Sequence, residues 1–389
     1  MNRLRYLLLS LLLGAMVVLP SCRKEEEIIP SNKVRVGVPG RPGKIKGFFL
    51  LNEANMGSNK ATLDYYDYTT AFYTRNIYAE RNPNVVKELG DVGNDLQIHG
   101  SRLYAVINVS GLIEVMDVRT AKHIGKLSIP NCRYIAFKDG FAYVSSYAGP
   151  VKIDPNARLG YVAKVDTATL KVVAECPVGY QPEELLIQGD KLYVANSGGY
   201  RAPNYDKTIS IIDLKTFTEE KQVDVAINLH RLQLDNYGKI WVSSRGDYKD
   251  VPSQLFVFDP KTEHVTKTLE VGCSNMALSG DSLFVYSSEW SYLTGKNTIS
   301  YTVIDTKKQE VIDRNFIKDG TDKEIQLPYG LAINSEQGEL YLTDAQDYVH
   351  PGQLHCYDLK TGRRKWSVKT GDIPAHIAFT TQPLQPLHH

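Results

Sequence analysis

Gly189-Asp190-Lys191-Leu192-Tyr193-Val194-Ala195-Asn196 is followed, 12 residues later, by Ile209-Ser210-Ile211-Ile212-Asp213-Leu214-Lys215-Thr216, and this stretch decides the fold. It reads as a glycine turn, a strand, a long connection, an alternating strand and an Asp turn. Its second half recurs as Leu63-Asp64-Tyr65-Tyr66-Asp67, Ile113-Glu114-Val115-Met116-Asp117, Val162-Ala163-Lys164-Val165-Asp166, Leu255-Phe256-Val257-Phe258-Asp259, Tyr301-Thr302-Val303-Ile304-Asp305 and Leu354-His355-Cys356-Tyr357-Asp358. The closing aspartates, at 67, 117, 166, 213, 259, 305 and 358, are 50, 49, 47, 46, 46 and 53 residues apart. The glycine turn and its strand recur as Gly238-Lys239-Ile240-Trp241-Val242 and Gly338-Glu339-Leu340-Tyr341-Leu342. Each is preceded by another short strand, such as Arg231-Leu232-Gln233-Leu234 or Gly330-Leu331-Ala332-Ile333.

Four short strands in each unit of about 50 residues is the period of a β-propeller. Seven Asp turns predict an all-β fold with seven four-stranded blades. The aspartates read as structural, each carboxylate accepting backbone N–H groups of the turn after it. Ile373-Pro374-Ala375-His376-Ile377-Ala378-Phe379 looks like an innermost strand with no blade behind it. The first blade, opening at Gly47-Phe48-Phe49-Leu50-Leu51, lacks one. The two ends are therefore expected to share a blade, which closes the ring and removes exposed sheet edges.

The 389 residues carry 45 Lys and Arg against 44 Asp and Glu, a net charge of +1, without the basic excess of a nucleic-acid binder. Hydrophobic residues at 42% and charged residues at 23% describe an ordinary globular chain. The N-terminus differs. Arg3 and Arg5 precede the apolar run Tyr6–Leu19, which is short for a membrane span, and Pro20-Ser21-Cys22 follows. Residues 1–21 read as a secretory signal, and Leu19-Pro20-Ser21-Cys22 resembles a bacterial lipobox with Cys22 as the lipidated residue. The alternative is a signal peptide cleaved without lipidation. Residues 22–46, with the charge run Arg23-Lys24-Glu25-Glu26-Glu27 and then Pro30, Gly37, Pro39, Gly40, Pro42 and Gly43, read as a solvated tether and flexible linker. The propeller is placed at 47–389. Cys132, Cys176, Cys273 and Cys356 are isolated in or beside strands and read as buried free thiols, with disulfide pairing the alternative for an exported chain.

A propeller has two rims. The glycine and Asp turns make a short, stereotyped one. The connections between second and third strands, with the turns leading into the innermost strands, make a long and variable one, where function is expected. The connections offer Asn55, Tyr147, Tyr200, Arg201, Arg245, Tyr248, Trp290, Tyr292 and Tyr348; the turns offer Asn94, Tyr134, His230, Arg231, Asn275, Tyr329 and His376. All sixteen are candidate ligand-binding residues converging on the central channel. Aromatic rings supply flat contact at low entropy cost, and amides and arginines supply directed hydrogen bonds, so this rim suits a large, flat, polar-edged ligand. The bland alternative is that loop tyrosines only pack neighbouring blades together. Glu53, Asp95, Glu183, Glu289 and Asp344 are carboxylates that a propeller hydrolase of the lactonase kind would use for a metal, but they sit at different offsets in their units. No Gly-x-Ser-x-Gly, His-Glu-x-x-His or phosphate loop occurs, so no catalytic residue, catalytic cofactor or metal is expected.

Units such as Leu192–Asn196 followed by Ile209–Asp213 resemble the YncE-like seven-bladed propellers, over nearly the whole mature chain. Cys22 and Arg23–Glu27 resemble the lipidated cysteine and acidic export tag of Bacteroidetes surface lipoproteins. Together with the Tyr-rich rim, these features resemble the vitamin B12-binding propeller lipoproteins of that phylum, the BtuG family. The resemblance implies a lipid-anchored protein on the outer face of the outer membrane. It would bind cobalamin and pass it to a TonB-dependent transporter, on which it sits as a lid, with no chemistry of its own. A surface glycan-binding lipoprotein is the second expectation, since Tyr and Trp also stack on sugars. A metal-dependent lactonase-like hydrolase is the third.

Overall fold

The computed structural model describes residues 32–85, 88–291 and 296–386. The expected signal peptide, Cys22, the acidic tag and Tyr292 lie outside the described residues. Within them the strands form seven antiparallel sheets arranged as a β-propeller. Blades 2 to 7 each pair four consecutive strands in sequence order, and their innermost strands are Gly93–His99, Cys132–Lys138, Pro182–Gln188, Leu229–Leu234, Asn275–Ser279 and Pro328–Asn334.

Burial explains the sequence pattern. The second and third strands of a blade are covered on both faces by neighbouring blades, so almost every residue of Ile240–Ser244 and Thr208–Asp213 is buried, small Ser and Thr side chains included. The outermost strands face solvent on one side, and Thr218–Asp224 is mostly exposed. Apolar clusters fill the gaps between sheets. Trp241, Leu255 and Val257 of blade 5, for example, pack with Met276, Leu283 and Val285 of blade 6. Each fully buried side chain of this size stabilises the ring by about 1.5–3 kcal/mol.

The ring closes as the termini predict. Pro374–Thr380 pairs with Gly47–Asn52, Phe48 opposite Phe379 and Leu50 opposite Ile377, and it packs between the innermost strands of blades 7 and 2. All seven Asp turns serve the backbone: the carboxylates of Asp67, Asp117, Asp166, Asp213, Asp259, Asp305 and Asp358 each accept a backbone N–H two or three residues on, at 2.7–3.2 Å. Cys132, Cys176, Cys273 and Cys356 are buried free thiols.

The linker expectation is corrected. Residues 32–46 belong to the folded body, which begins before Gly47. Asn32–Arg35 is a fifth strand on blade 1, with Asn32 opposite Arg75 and Arg35 opposite Phe72. Val36 is buried, and the backbone N–H groups of Arg41 and Ile45 donate to Gln337 and Glu336 of blade 7. An outer-edge strand is held by backbone pairing and needs no apolar alternation, so Pro and Gly counting missed it. Phe72–Arg75 runs from an Asp turn toward the opposite rim. Antiparallel pairing therefore puts Asn32 at the rim of the long connections.

Candidate ligand-binding site

The long-connection rim surrounds an open cavity of about 1230 Å³, to which all seven blades contribute. Thirteen of the sixteen sequence candidates line it: Asn55, Asn94, Tyr134, Tyr200, His230, Arg231, Arg245, Tyr248, Asn275, Trp290, Tyr329, Tyr348 and His376. Tyr147 and Arg201 stand outside it. Tyr147 is 3% exposed, carries the Arg133 guanidinium 4.9 Å from its ring centre and donates its hydroxyl to Glu183 at 2.5 Å. Arg201 stacks 3.5 Å above Tyr180 and donates to the Asn204 carbonyl. Both follow the alternative in which rim side chains pack the loops.

The floor is charged but internally paired. Glu183, 1% exposed at the start of the innermost strand of blade 4, accepts from Arg133 of blade 3 at 3.0 Å and from Arg245 of blade 5 at 3.1 Å. Burial alone would raise its pKa, but the two guanidiniums outweigh burial and leave it below the ordinary carboxylate value. Glu184 lies 3.3 Å from Arg231 and accepts the Leu232 N–H. Here burial prevails over Arg231 and the pKa is raised. His230 Nε2 lies 2.9 Å from the Tyr134 hydroxyl, and burial with Arg245, Arg231 and Arg133 close by holds His230 well below its usual pKa and neutral. Burial also pushes the Tyr134 phenol up to about 12. Across the channel Glu53 accepts from the Tyr329 hydroxyl at 2.7 Å and pairs with His376 Nε2 at 3.0 Å. Asn94 donates to the Arg133 carbonyl, Asn275 to the Tyr329 carbonyl and Asn55 to the Tyr348 carbonyl, so the amides brace neighbouring blades.

The upper wall is apolar and open. Tyr200, Tyr248, Trp290 and Tyr348 come from four consecutive blades, 4 to 7, and are 37%, 59%, 54% and 43% exposed. Trp290 rides on the long hairpin of blade 6, whose paired strands Ser282–Ser291 and Lys296–Asp305 have 10 residues each. Blades 1 and 2 face this aromatic arc with Met56, Asn108 and Val109. The wall also includes Tyr286, Val251 and Pro252, which the sequence reading omitted. Tyr286, whose hydroxyl donates to the Tyr329 carbonyl, ends the strand run Leu283-Phe284-Val285-Tyr286. As part of a strand run it lies before the connection in which candidates were sought. Val251 and Pro252 close a loop and carry no ligand signature of their own.

Glu53 and Glu289 line the cavity, while Asp95, Glu183 and Asp344 are held by backbone or arginine. Among the described residues no group of three or more His, Cys, Asp or Glu is placed to hold a metal ion. The arrangement offers ring faces above and a fixed array of donors and acceptors below. It can grip a large ligand that is flat on one side and polar at its edges.

A family described as a domain of unknown function, DUF5074, matches residues 46–380. The chain belongs to the DUF5074 family. No curated protein matches this DUF5074 chain. Among solved structures, hydrazine synthase from Kuenenia stuttgartiensis aligns with a TM-score of 0.57 at 18% identity, over 69% of this chain and 77% of that one. The computationally designed Ika8 protein aligns with a TM-score of 0.50 at 12% identity, over 73% of this chain and 89% of that one. At these identities the likeness of the DUF5074 propeller to either is one of fold alone.

Proposed function

We propose that this DUF5074 propeller is a lipid-anchored surface protein that captures cobalamin in the rim cavity and passes it to a TonB-dependent transporter of the outer membrane, acting by binding alone. The observation that carries the reading is the open cavity of about 1230 Å³, walled by aromatics from four adjacent blades above a hydrogen-bonding floor. A corrin is a flat macrocycle edged with amides, and this is the chemistry that such a wall and floor match. Loops held on rigid strands limit the ordering cost of binding. Calorimetry of residues 22–389 with cyanocobalamin is expected to give saturable 1:1 binding at micromolar protein. Absence of heat at that concentration would sink the proposal. Exposed Tyr248, Trp290 and Tyr348 also favour a glycan as the second reading, and the same titration with soluble oligosaccharides separates the two.

A further inference from the structure

Two tyrosines at the mouth hold a backbone conformation that tyrosine avoids. Tyr248 has φ 63° and Tyr348 φ 64°, in the left-handed region where a β carbon is crowded. Each follows an aspartate in the connection between the second and third strands of its blade, Gly246-Asp247-Tyr248 in blade 5 and Gln346-Asp347-Tyr348 in blade 7. Both aspartates are committed to the backbone. Asp247 Oδ1 accepts the N–H groups of Lys249, Asp250 and Val251 at 2.9, 2.9 and 2.8 Å. Asp347 Oδ1 accepts those of Val349 and His350 at 3.0 and 2.9 Å, and its Oδ2 lies 2.7 Å from His350 Nδ1. Further bonds lock each loop: the Asp247 N–H donates to the Val251 carbonyl, and the Tyr348 N–H to the Ala345 carbonyl.

Left-handed backbone recurs in this fold, but in the Asp turns the residues that hold it, such as Ala71, Ala121 and Phe217, are buried. Tyr248 and Tyr348 hold it with rings that stay 59% and 43% exposed, Tyr348 touching Tyr329 edge to face at 6.0 Å between ring centres. Blade 6 stands between them and presents Trp290. Strain kept on half-exposed rings, at the lip of a cavity, is the pattern of a pre-set binding surface.

We propose that the Asp247-Tyr248 and Asp347-Tyr348 turns are a pair of pre-set aromatic clamps. In this arrangement Tyr248 and Tyr348, flanking Trp290, receive the flat ring face of the ligand. Asp247 and Asp347 are positioning residues that hold the two tyrosines in place before the ligand arrives. The inference rests on the capture reading for the choice of probe.

The test titrates cyanocobalamin into the wild type and into Tyr248→Gly, Tyr348→Gly, Asp247→Ala, Asp347→Ala, Asp247→Asn and Asp347→Asn, with a thermal melt of each. Each glycine variant is expected to bind about 2- to 10-fold more weakly, the range for losing one aromatic contact. Its Tm should be unchanged or raised, because glycine relieves the strain. Asp→Ala should weaken binding to a similar extent, and Asp→Asn should restore it, because the amide oxygen accepts the same N–H groups. Glycine variants that bind like wild type overturn the clamp while leaving cobalamin capture intact. So does Asp→Asn behaving like Asp→Ala. If the wild type ignores cyanocobalamin, the capture reading falls, and the clamp is judged by the same variants against maltoheptaose and xylohexaose. Binding of none of these probes overturns both.

Discussion

Glu183 holds two arginines from two neighbouring blades, and removing it leaves both guanidiniums buried beside an uncharged gap. Breaking a buried ion pair from one side costs about 3–5 kcal/mol. Glu183→Ala is therefore expected to lower the guanidinium unfolding midpoint by that equivalent, and an unchanged midpoint would mean the triad contributes nothing. His230 supplies a pH test. Its folded pKa lies below the unfolded value of 6.5, held down first by burial and then by the charges of Arg245, Arg231, Arg133 and His376 around it. The unfolded chain then binds the extra proton as pH falls, so the contribution is complete above about pH 6.5 and is lost below it. His355, held at about 4 by burial, adds to the same window. Melts at pH 7.5 and 5 should show a drop in Tm that His230→Gln and His355→Gln each reduce; a drop of equal size in both variants would remove these histidines from the account. At this scale the sequence was partly legible. Residue type and loop position brought His230, Arg231 and Arg245 to the cavity. Nothing in the sequence distinguished Tyr147, which turns inward to Glu183, from Tyr200, which faces the opening, because adjacent loop residues share a composition and differ only in backbone path.

Elements carry the next part of the site. Strands next to a glycine or Asp turn announce themselves by short apolar or alternating segments, and Asp turns by their spacing, so inner, second and third strands were readable. Asn32–Arg35 was not: three of its four residues are exposed, and edge pairing leaves no side-chain pattern. The blade 6 hairpin was readable only as a loop, since Ser288-Glu289-Trp290 has none of the alternation that marks a buried strand. Its distal part adds reach, and among the described residues the core clusters of blade 6 go no further along the hairpin than Tyr286 and Ile299. Replacing Glu289–Thr298 by a two-residue turn is expected to leave the thermal melt within about 2 °C of wild type and to weaken cyanocobalamin binding by at least about 10-fold, a 1.4 kcal/mol loss. Unchanged affinity in calorimetry would exclude the hairpin from the binding surface.

On the scale of the whole molecule, period and closure were the most legible features, because seven copies average out local noise and the unmatched Ile373–Phe379 has one place to go. Deleting residues 373–389 opens the ring, exposing Phe48 and Leu50 and freeing one edge of the Gly47–Asn52 strand. The expected outcome is insoluble expression. A soluble truncation with the wild-type melting curve would show that closure is dispensable. The cavity also belongs to the whole molecule, since no single blade supplies more than part of the aromatic arc or the arginine floor.

Closure by the final strand also sets a clock. The blade that begins at Asn32 is completed by Pro374–Thr380, the last strand described. At roughly 5 to 20 residues per second of synthesis, the first-made sheet waits tens of seconds for the last-made piece. During that interval the nascent polypeptide has no finished circle, and the inner edge of its first sheet stays open to solvent.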